Sequence, residues 1–346
     1  MPEPPYFPPR SHRRREDLRF VAGAGRYVGD LAPAGAVHLA FVRSPEAHAR
    51  IAGIDPVEAA ASPDVTGVYT AADLDLADIP GDSNTVEAPG YERPVLAREK
   101  VRYVGEPVAV VAARSPQAAL DGAELVWVDY DSLPVASRPE HSLQDDVLIH
   151  EQTGTNVVHR SQVGDVDGTY RGELEIEIEV DNQRLAPTSV EPLAILATPE
   201  GDHLHVRVGH QNPHRFQREL TRQLQLEPDR VRVVVPDVGG AFGMKGKLYP
   251  EYIVAAALAR RLGVPVMWTE QRREHMSGGT HGRGSRWRVR LAGTREGRIR
   301  LAEVEALADL GAYPHAGSNV PTFSRLVALG LYDIPAARIS TTSVVT

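Results

Sequence analysis

The sequence predicts an α+β fold: a compact α+β region over about 17–135, then a mixed α/β region over 166–346, with a tail at 1–16 and a connector at 136–165. Three observations carry this reading. Two strand–helix–strand units follow one another in the first region. A strictly alternating strand, GELEIEIEV (172–180), opens the second. A strand–glycine loop–helix–strand segment then spans about 231–270, and it is the best place to look for chemistry.

In the first unit VHLAFVRS (37–44) reads as a buried strand, and a helix opens at Asp55-Pro56-Val57-Glu58. Asp55 supplies an N-cap, Pro56 suits the first helical position and Glu58 completes a box-like spacing. VTGVYT (65–70) is the returning strand. The second unit repeats the order: EPVAVVAA (106–113), a helix from Ser115-Pro116 to about Glu124, and the alternating LVWVDYD (125–131). Residues 132–165 are rich in Ser, Asp, His and Gly, with weak periodicity, and read as connector.

Beyond 172–180, buried strands are expected at Leu193–Ala197 and HLHVRVG (203–209). A helix is expected from Pro213 to Leu226, with Phe216, Leu220 and Leu224 on one face. VRVVV (231–235) reads as a buried strand. After the loop PDVGGAFGMKGK a helix runs from Pro250 to Leu262, capped by Gly263 and stopped by Pro265. PVMWTE (265–270) is a strand, and RWRVRLAG (286–293) and RIRLAEVEAL (298–307) flank a hairpin turn at Thr294–Gly297.

With 346 residues, 42% hydrophobic and 24% charged, the chain can bury a real core. A net charge of −8 argues against a nucleic-acid binder, and the basic run His12 to Arg15 reads as a solvated arm in a Pro-rich tail. The absence of cysteine removes disulfides, Cys-based zinc sites and iron–sulfur ligation. No secretory h-region and no run of ~20 apolar residues are visible, so a cytoplasmic, membrane-free protein is expected.

In Val238-Gly239-Gly240-Ala241-Phe242-Gly243 the glycines permit positive φ and close approach of backbone N–H groups to a ligand. The helix that follows adds a favourable terminus for an anionic group. The alternative is an ordinary tight turn with Phe242 packed in the core. A P-loop is excluded, since Ala241 stands at its first glycine and Leu248 at its Ser/Thr. Gly23-Ala24-Gly25 fails as a dinucleotide fingerprint because Val28 replaces the third glycine. His210 and His214 have a metal-compatible spacing, but Asn212-Pro213 between them marks a helix start, and no metal is assigned. No hydrolase signature is present.

RREDLRFVAGAGRYVGDL (14–31), VHLAFVRSPEAHARI (37–51) and VRYVGEPVAVVAA (101–113) resemble the N-terminal domain of the molybdenum hydroxylase large subunits, the family of xanthine dehydrogenase, aldehyde oxidase and aerobic carbon monoxide dehydrogenase. HQNPH (210–214), PDVGGAFGMKG (236–246), GVPVMWTEQRREHM (263–276) and ADLGAY (308–313) resemble the start of its cofactor-binding region, in order. The resemblance implies an α/β-hammerhead-like domain followed by the first part of a mixed α/β molybdopterin-binding domain. It implies hydroxylation of an aldehyde or N-heterocycle with water as oxygen source, on molybdopterin or molybdopterin cytosine dinucleotide. It places Gly239, Gly240, Ala241, Phe242 and Gly243 against the cofactor, with Gln211 as a further contact. Iron–sulfur centres and FAD are expected on partner subunits.

The chain departs from the family in length, being less than half as long as its members. The substrate-loop arginine of the Ala-Tyr-Arg type, the late Gly-Gln-Gly loop and the near-C-terminal glutamate base have no counterpart here, so no catalytic acid or base is assigned. Near Val190-Glu191-Pro192 no glutamine matches the one xanthine-type members carry, which argues against a xanthine-like pocket. The expectation is one half of a split subunit, completed by a complementary molybdopterin-binding chain and inactive without it. The alternative is a non-catalytic binding or assembly protein, or a truncated fragment, retaining the fold.

Overall fold

The computed structural model describes residues 14–81, 83, 86–166 and 171–346. Residues 1–13 of the expected tail, with His12 and Arg13 of its basic run, lie outside the described residues. The strands are β1 (Val37–Arg43), β2 (Ala49–Asp55), β3 (Val65–Thr70), β4 (Lys100–Val101), β5 (Pro107–Ala113), β6 (Trp127–Ser132), β7 (Val157–Val163) and β8 (Leu174–Asn182). They continue as β9 (Ala194–Glu200), β10 (His203–Val208), β11 (Val231–Val234), β12 (Val266–Thr269), β13 (Ser285–Gly293), β14 (Ile299–Asp309) and β15 (Ala336–Val344).

One sheet runs through both regions that the sequence distinguishes. Its order is β11-β10-β9-β12-β1-β5-β3. β1 lies parallel to β12, with Val37 opposite Val266 and His38 opposite Met267, and antiparallel to β5. β5, PVAVVAA, is buried along its whole length, as a strand covered on both faces must be. The helix Pro116–Glu124 packs on β1 and β5 and is capped by Ser115, whose Oγ accepts the Ala118 N–H at 3.1 Å.

The opposite end of this sheet is covered by the helices Pro250–Leu262 and Pro213–Gln223. Gly263 closes the first at φ +69, a conformation only glycine adopts without cost. Phe216 and Leu220 are fully buried under the second. Four aromatic rings then run edge to face through the core: Phe216 to Tyr252 at 5.6 Å, Tyr252 to Trp268 at 6.0 Å and Trp268 to Phe41 at 5.7 Å. Phe41 belongs to β1, so the chain of rings ties the first region to the second through packing as well as pairing.

A five-stranded sheet, β7-β15-β14-β13-β8, and a three-stranded one, β4-β2-β6, complete the fold. β7 arises inside the expected connector and pairs with β15. β8 is an edge strand whose Leu174, Ile176, Ile178 and Val180 stay 46–58% exposed. On its other face Glu177 meets Arg288 at 2.6 Å and Asp181 meets Arg286 at 2.6 Å. No helix among the described residues is long and apolar enough to cross a membrane.

Several expectations need correcting. The two strand–helix–strand units do not form separate repeats: β1, β3 and β5 share one sheet, while β6 pairs with β2 in another. β2, ARIAGID, escaped the sequence reading because Gly53 and two alanines weaken its alternation. Pro56, not Asp55, is the N-cap of the helix at Val57, although Asp55 Oδ1 still accepts the Val57 N–H at 3.0 Å. β11 is not buried but alternates, since only β10 flanks it. The helix from Pro213 stops at Gln223, and Gln225 at φ +52 turns the chain away.

The join between β9 and β12 ends on a buried acid. Glu270 donates its N–H to the Leu193 carbonyl at 2.8 Å and accepts the Leu193 N–H on Oε2 at 3.0 Å, extending the ladder through its side chain. That side chain is 4% exposed, and His275 Nδ1 stands 3.3 Å away. Burial, reinforced by the charges of Glu251 and Glu274, pushes Glu270 up to about 7 from 4.5. Folding therefore takes up a proton between these values, and the stability this contributes is present below 4.5 and lost as the pH rises through about 7. Glu270→Gln should be more stable than wild type at pH 8, by on the order of 2–3 kcal/mol in urea titration, with the gap closing toward pH 4. A gap independent of pH would contradict this account.

Candidate functional site

The loop between β11 and the helix at Pro250 is held at three points. Its start is fixed by Asp237, which receives the Arg19 guanidinium, with Nη2 to Oδ1 at 2.6 Å, and the Arg26 N–H at 2.7 Å. Those contacts hold the Asp237 carboxyl down at about 2, Arg19 first among the causes. Its middle is fixed by Glu191, whose Oε2 accepts the Gly239 N–H and Lys245 Nζ, each at 2.6 Å, while the Glu191 N–H donates to the Gly239 carbonyl at 3.1 Å. Its end is fixed by Gln211, whose N–H donates to the Lys245 carbonyl at 2.8 Å.

The Lys245 side chain is fully buried and that of Glu191 is 10% exposed. A desolvated ion pair is costly to form and far costlier to half remove. Arg272 holds the strand side of the same corner, donating to the Ser189 carbonyl at 2.6 Å and the Val190 carbonyl at 3.0 Å.

Between these anchors the backbone is turned outward. A Cβ on Gly239 would stand 2.6 Å from the Glu191 Cβ, so only glycine fits against the carboxylate. Gly240, Phe242 and Gly243 have φ of +99, +49 and +93. The N–H groups of Gly240, Ala241, Phe242 and Gly243 donate to no protein acceptor among the described residues. Phe242 is 76% exposed, which rules out the ordinary turn with its aromatic in the core. A non-glycine residue at positive φ with an exposed aromatic ring departs from both local preference and burial.

All six residues singled out from the sequence thus share one neighbourhood. Gln211 is exposed and its Oε1 lies 3.7 Å from where a Cβ on Gly246 would be. His210 and His214 separate: His214 is exposed, while His210 is buried against Phe216 and accepts the Asn212 N–H on Nδ1 at 3.0 Å. Among the described residues no group of three His, Cys, Asp or Glu is placed to hold a metal. Glu191 and Lys245 were missed from sequence. A lysine in a glycine loop reads as solvated, and nothing local signals that a carboxylate from before β9 will meet it.

Both regions of the chain match domains of known proteins. Residues 149–346 match the molybdopterin cofactor-binding domain, and residues 22–134 match the a/b hammerhead domain of aldehyde oxidase and xanthine dehydrogenase. The chain belongs to the molybdopterin-binding large-subunit family of the molybdenum hydroxylases. It is 35% identical to the nicotine 6-hydroxylase large subunit of Paenarthrobacter nicotinovorans, over 97% of this chain and 44% of that one. Quinoline 2-oxidoreductase from Pseudomonas putida 86 superposes with a TM-score of 0.91 at 33% identity, over 96% of this chain and 44% of its own. The nicotinate dehydrogenase large molybdopterin subunit of Eubacterium barkeri is 28% identical, over 94% of this chain and 75% of that one. The chain therefore spans less than half the length of the first two proteins and three quarters of the third.

Removing one partner of the buried pair gives a direct test. Lys245→Met should cost ~3–5 kcal/mol of unfolding free energy by stranding the Glu191 charge. Adding Glu191→Gln to it should restore most of that loss. A single Lys245 variant within ~1 kcal/mol of wild type would remove the pair's anchoring role.

Proposed function

We propose that this chain supplies one face of the molybdopterin site in a molybdenum hydroxylase that oxidises an aldehyde or an N-heterocycle with water as oxygen source. The observation that carries the proposal is the outward-turned loop with four N–H groups left free, in a chain of this family. Such donors fit a polar pterin, as molybdopterin or its cytosine dinucleotide, and glycine allows the backbone to come close. When bound, the cofactor supplies two-electron oxidation of a substrate carbon.

The chain's own residues have separable tasks. The N–H groups of Gly240, Ala241, Phe242 and Gly243 hold the cofactor, and the Gln211 side chain adds a polar contact. The Phe242 ring lies beside Gly240 with most of its surface in solvent and offers a flat apolar face to a planar substrate. The Glu191–Lys245 pair keeps these donors fixed without touching the cofactor. None of the loop residues is a proton acceptor suited to general-base work, which contributes ~10²–10⁴ in rate.

A complementary molybdopterin-binding chain provides that base and closes the site in this reading. The exposed apolar face of β8 supports it, since patches of this kind mark interfaces. The Eubacterium barkeri subunit, of which this chain covers 75% against 44% of the nicotine 6-hydroxylase large subunit, is a shorter relative in the same family. With no cysteine in this chain, electrons leave through an iron–sulfur subunit and from there to a flavin subunit carrying FAD.

Two outcomes test this. Gly240→Val should lower the molybdenum content of the assembled enzyme, whereas Phe242→Ala should slow turnover at unchanged molybdenum content. In a dye-reduction assay with aldehyde and N-heterocycle substrates, activity should appear only when the complementary and iron–sulfur chains are present. Turnover by the purified single chain would refute the divided site, and equal metal content in the Gly240 variant would refute the loop's role.

A further inference from the structure

A cavity of about 330 Å³ opens at the far end of the same loop, between Lys247 and the β13–β14 hairpin. We propose that it binds a carboxylate borne on a flat ring, with Lys247 as the residue that receives the charge. A volume of this size is at the lower end of small-molecule sites.

The first argument is the charge of Lys247, a half-buried cation that no carboxylate meets at ion-pair distance among the described residues. Lys247, Arg93, Arg184 and Arg283 line the cavity, and Asp309 is the one acidic side chain among the lining residues. Asp309 is already engaged by Arg184 at 3.4 Å, by the Gly311 N–H at 2.9 Å and by the Thr346 hydroxyl at 2.8 Å. Among the described residues neither Lys247 nor Arg283 has a carboxylate at ion-pair distance. The Arg93 guanidinium donates to the Tyr103 hydroxyl and its charge is offset by Glu251 and Glu106, so it is not available to a ligand as Lys247 is.

A cation withdrawn from water without a partner is costly. Lys247 is half-buried in the cavity wall, and burial, with the positive charges of Arg93 and Arg215, pushes its ammonium down to about 8. It remains mostly protonated at neutral pH, so an incoming anion would gain a charged partner that has no competitor. Arg283 sits at φ +76 beside Gly284 at φ +35, a backbone conformation that sets a charged side chain on the cavity rim against local preference.

The second argument is the shape of the walls. Trp287, Tyr103, Tyr249 and Tyr313 contribute aromatic rings to the lining. Tyr249 is fixed by its own hydroxyl, which donates to the Met244 carbonyl at 2.9 Å, and Tyr313 by donating to Glu106 at 2.8 Å. Rigid rings beside unanswered cations favour a planar aromatic body with one anionic edge. A bare inorganic anion would leave the rings without a partner.

Calorimetric titration of the full chain with benzoate, its neutral isostere benzamide and inorganic phosphate tests the proposal. It needs no molybdenum, so its result is independent of the hydroxylase reading. Benzoate should bind at one site and quench tryptophan emission, and Trp287→Phe should abolish the quench, since Trp127 is surface-exposed and Trp268 lies in the core. Benzamide should bind at least about tenfold more weakly, as loss of a charged hydrogen bond requires. Lys247→Met should weaken benzoate by a similar factor, Lys247→Arg should retain most of the affinity, and Lys247→Gln serves where the methionine variant fails to fold. Benzamide binding as tightly as benzoate, an unchanged affinity in a neutral Lys247 variant, or phosphate binding more tightly than benzoate would each overturn the assignment.

Discussion

Glu191 carries its carboxylate into a place that water barely reaches, and both donors that meet it there, Lys245 Nζ and the Gly239 N–H, belong to the loop after β11. In water this attraction would be worth about 1 kcal/mol, whereas at low effective dielectric it is several times stronger. The pair must form completely or the fold bears the desolvation cost of whichever member is left. This requirement gives the loop one position. With Gly239 pinned against the Glu191 Cβ and Lys245 pulled inward, the residues between them have to bulge, and the bulge is what turns their N–H groups outward.

The first region also helps to hold the loop, through Arg19 and the Arg26 N–H on Asp237. Glu191 precedes β9, and β9 is placed by pairing with β12, which in turn pairs with β1 of the first region. Arg43 at the end of β1 reinforces the join, reaching Glu251 at 2.8 Å and Glu274 at 2.8 Å on two separate helices of the second region. Burial opposes the charge on Arg43, but these two carboxylates outweigh it and raise its pKa above the ordinary arginine value. The two regions therefore share one sheet, one line of aromatic rings and one buried charge cluster.

Features that depend on neighbours in sequence were legible, and those that depend on distant partners were not. Pro250 and Gly263 bracket a helix because their backbone limits act locally, and the structure places the helix at Pro250–Leu262. The alternation in β8 survives translation into structure for the same reason. The seven-strand order was invisible, because Val37 opposite Val266 is a pairing that no local pattern encodes. β15, AARISTTSV, is small and polar and is a strand only because β14 and β7 flank it. The glycine loop stood out as a loop, but its anchors did not: Glu191 and Lys245 are ordinary charged residues until folding removes their water.

The exposed ring of Phe242 follows from the same constraint. A phenylalanine at φ +49 with three quarters of its surface in solvent forfeits both backbone preference and hydrophobic burial, a combined loss of roughly 2–4 kcal/mol. The chain tolerates it because the loop on either side is tied down by contacts that do not involve the ring. With 76% of its surface exposed, the Phe242 side chain fills no space in the core. In the site proposed above, the exposed ring would meet a planar partner, and the free N–H groups on the same turn would set the polar edge that such a partner must present.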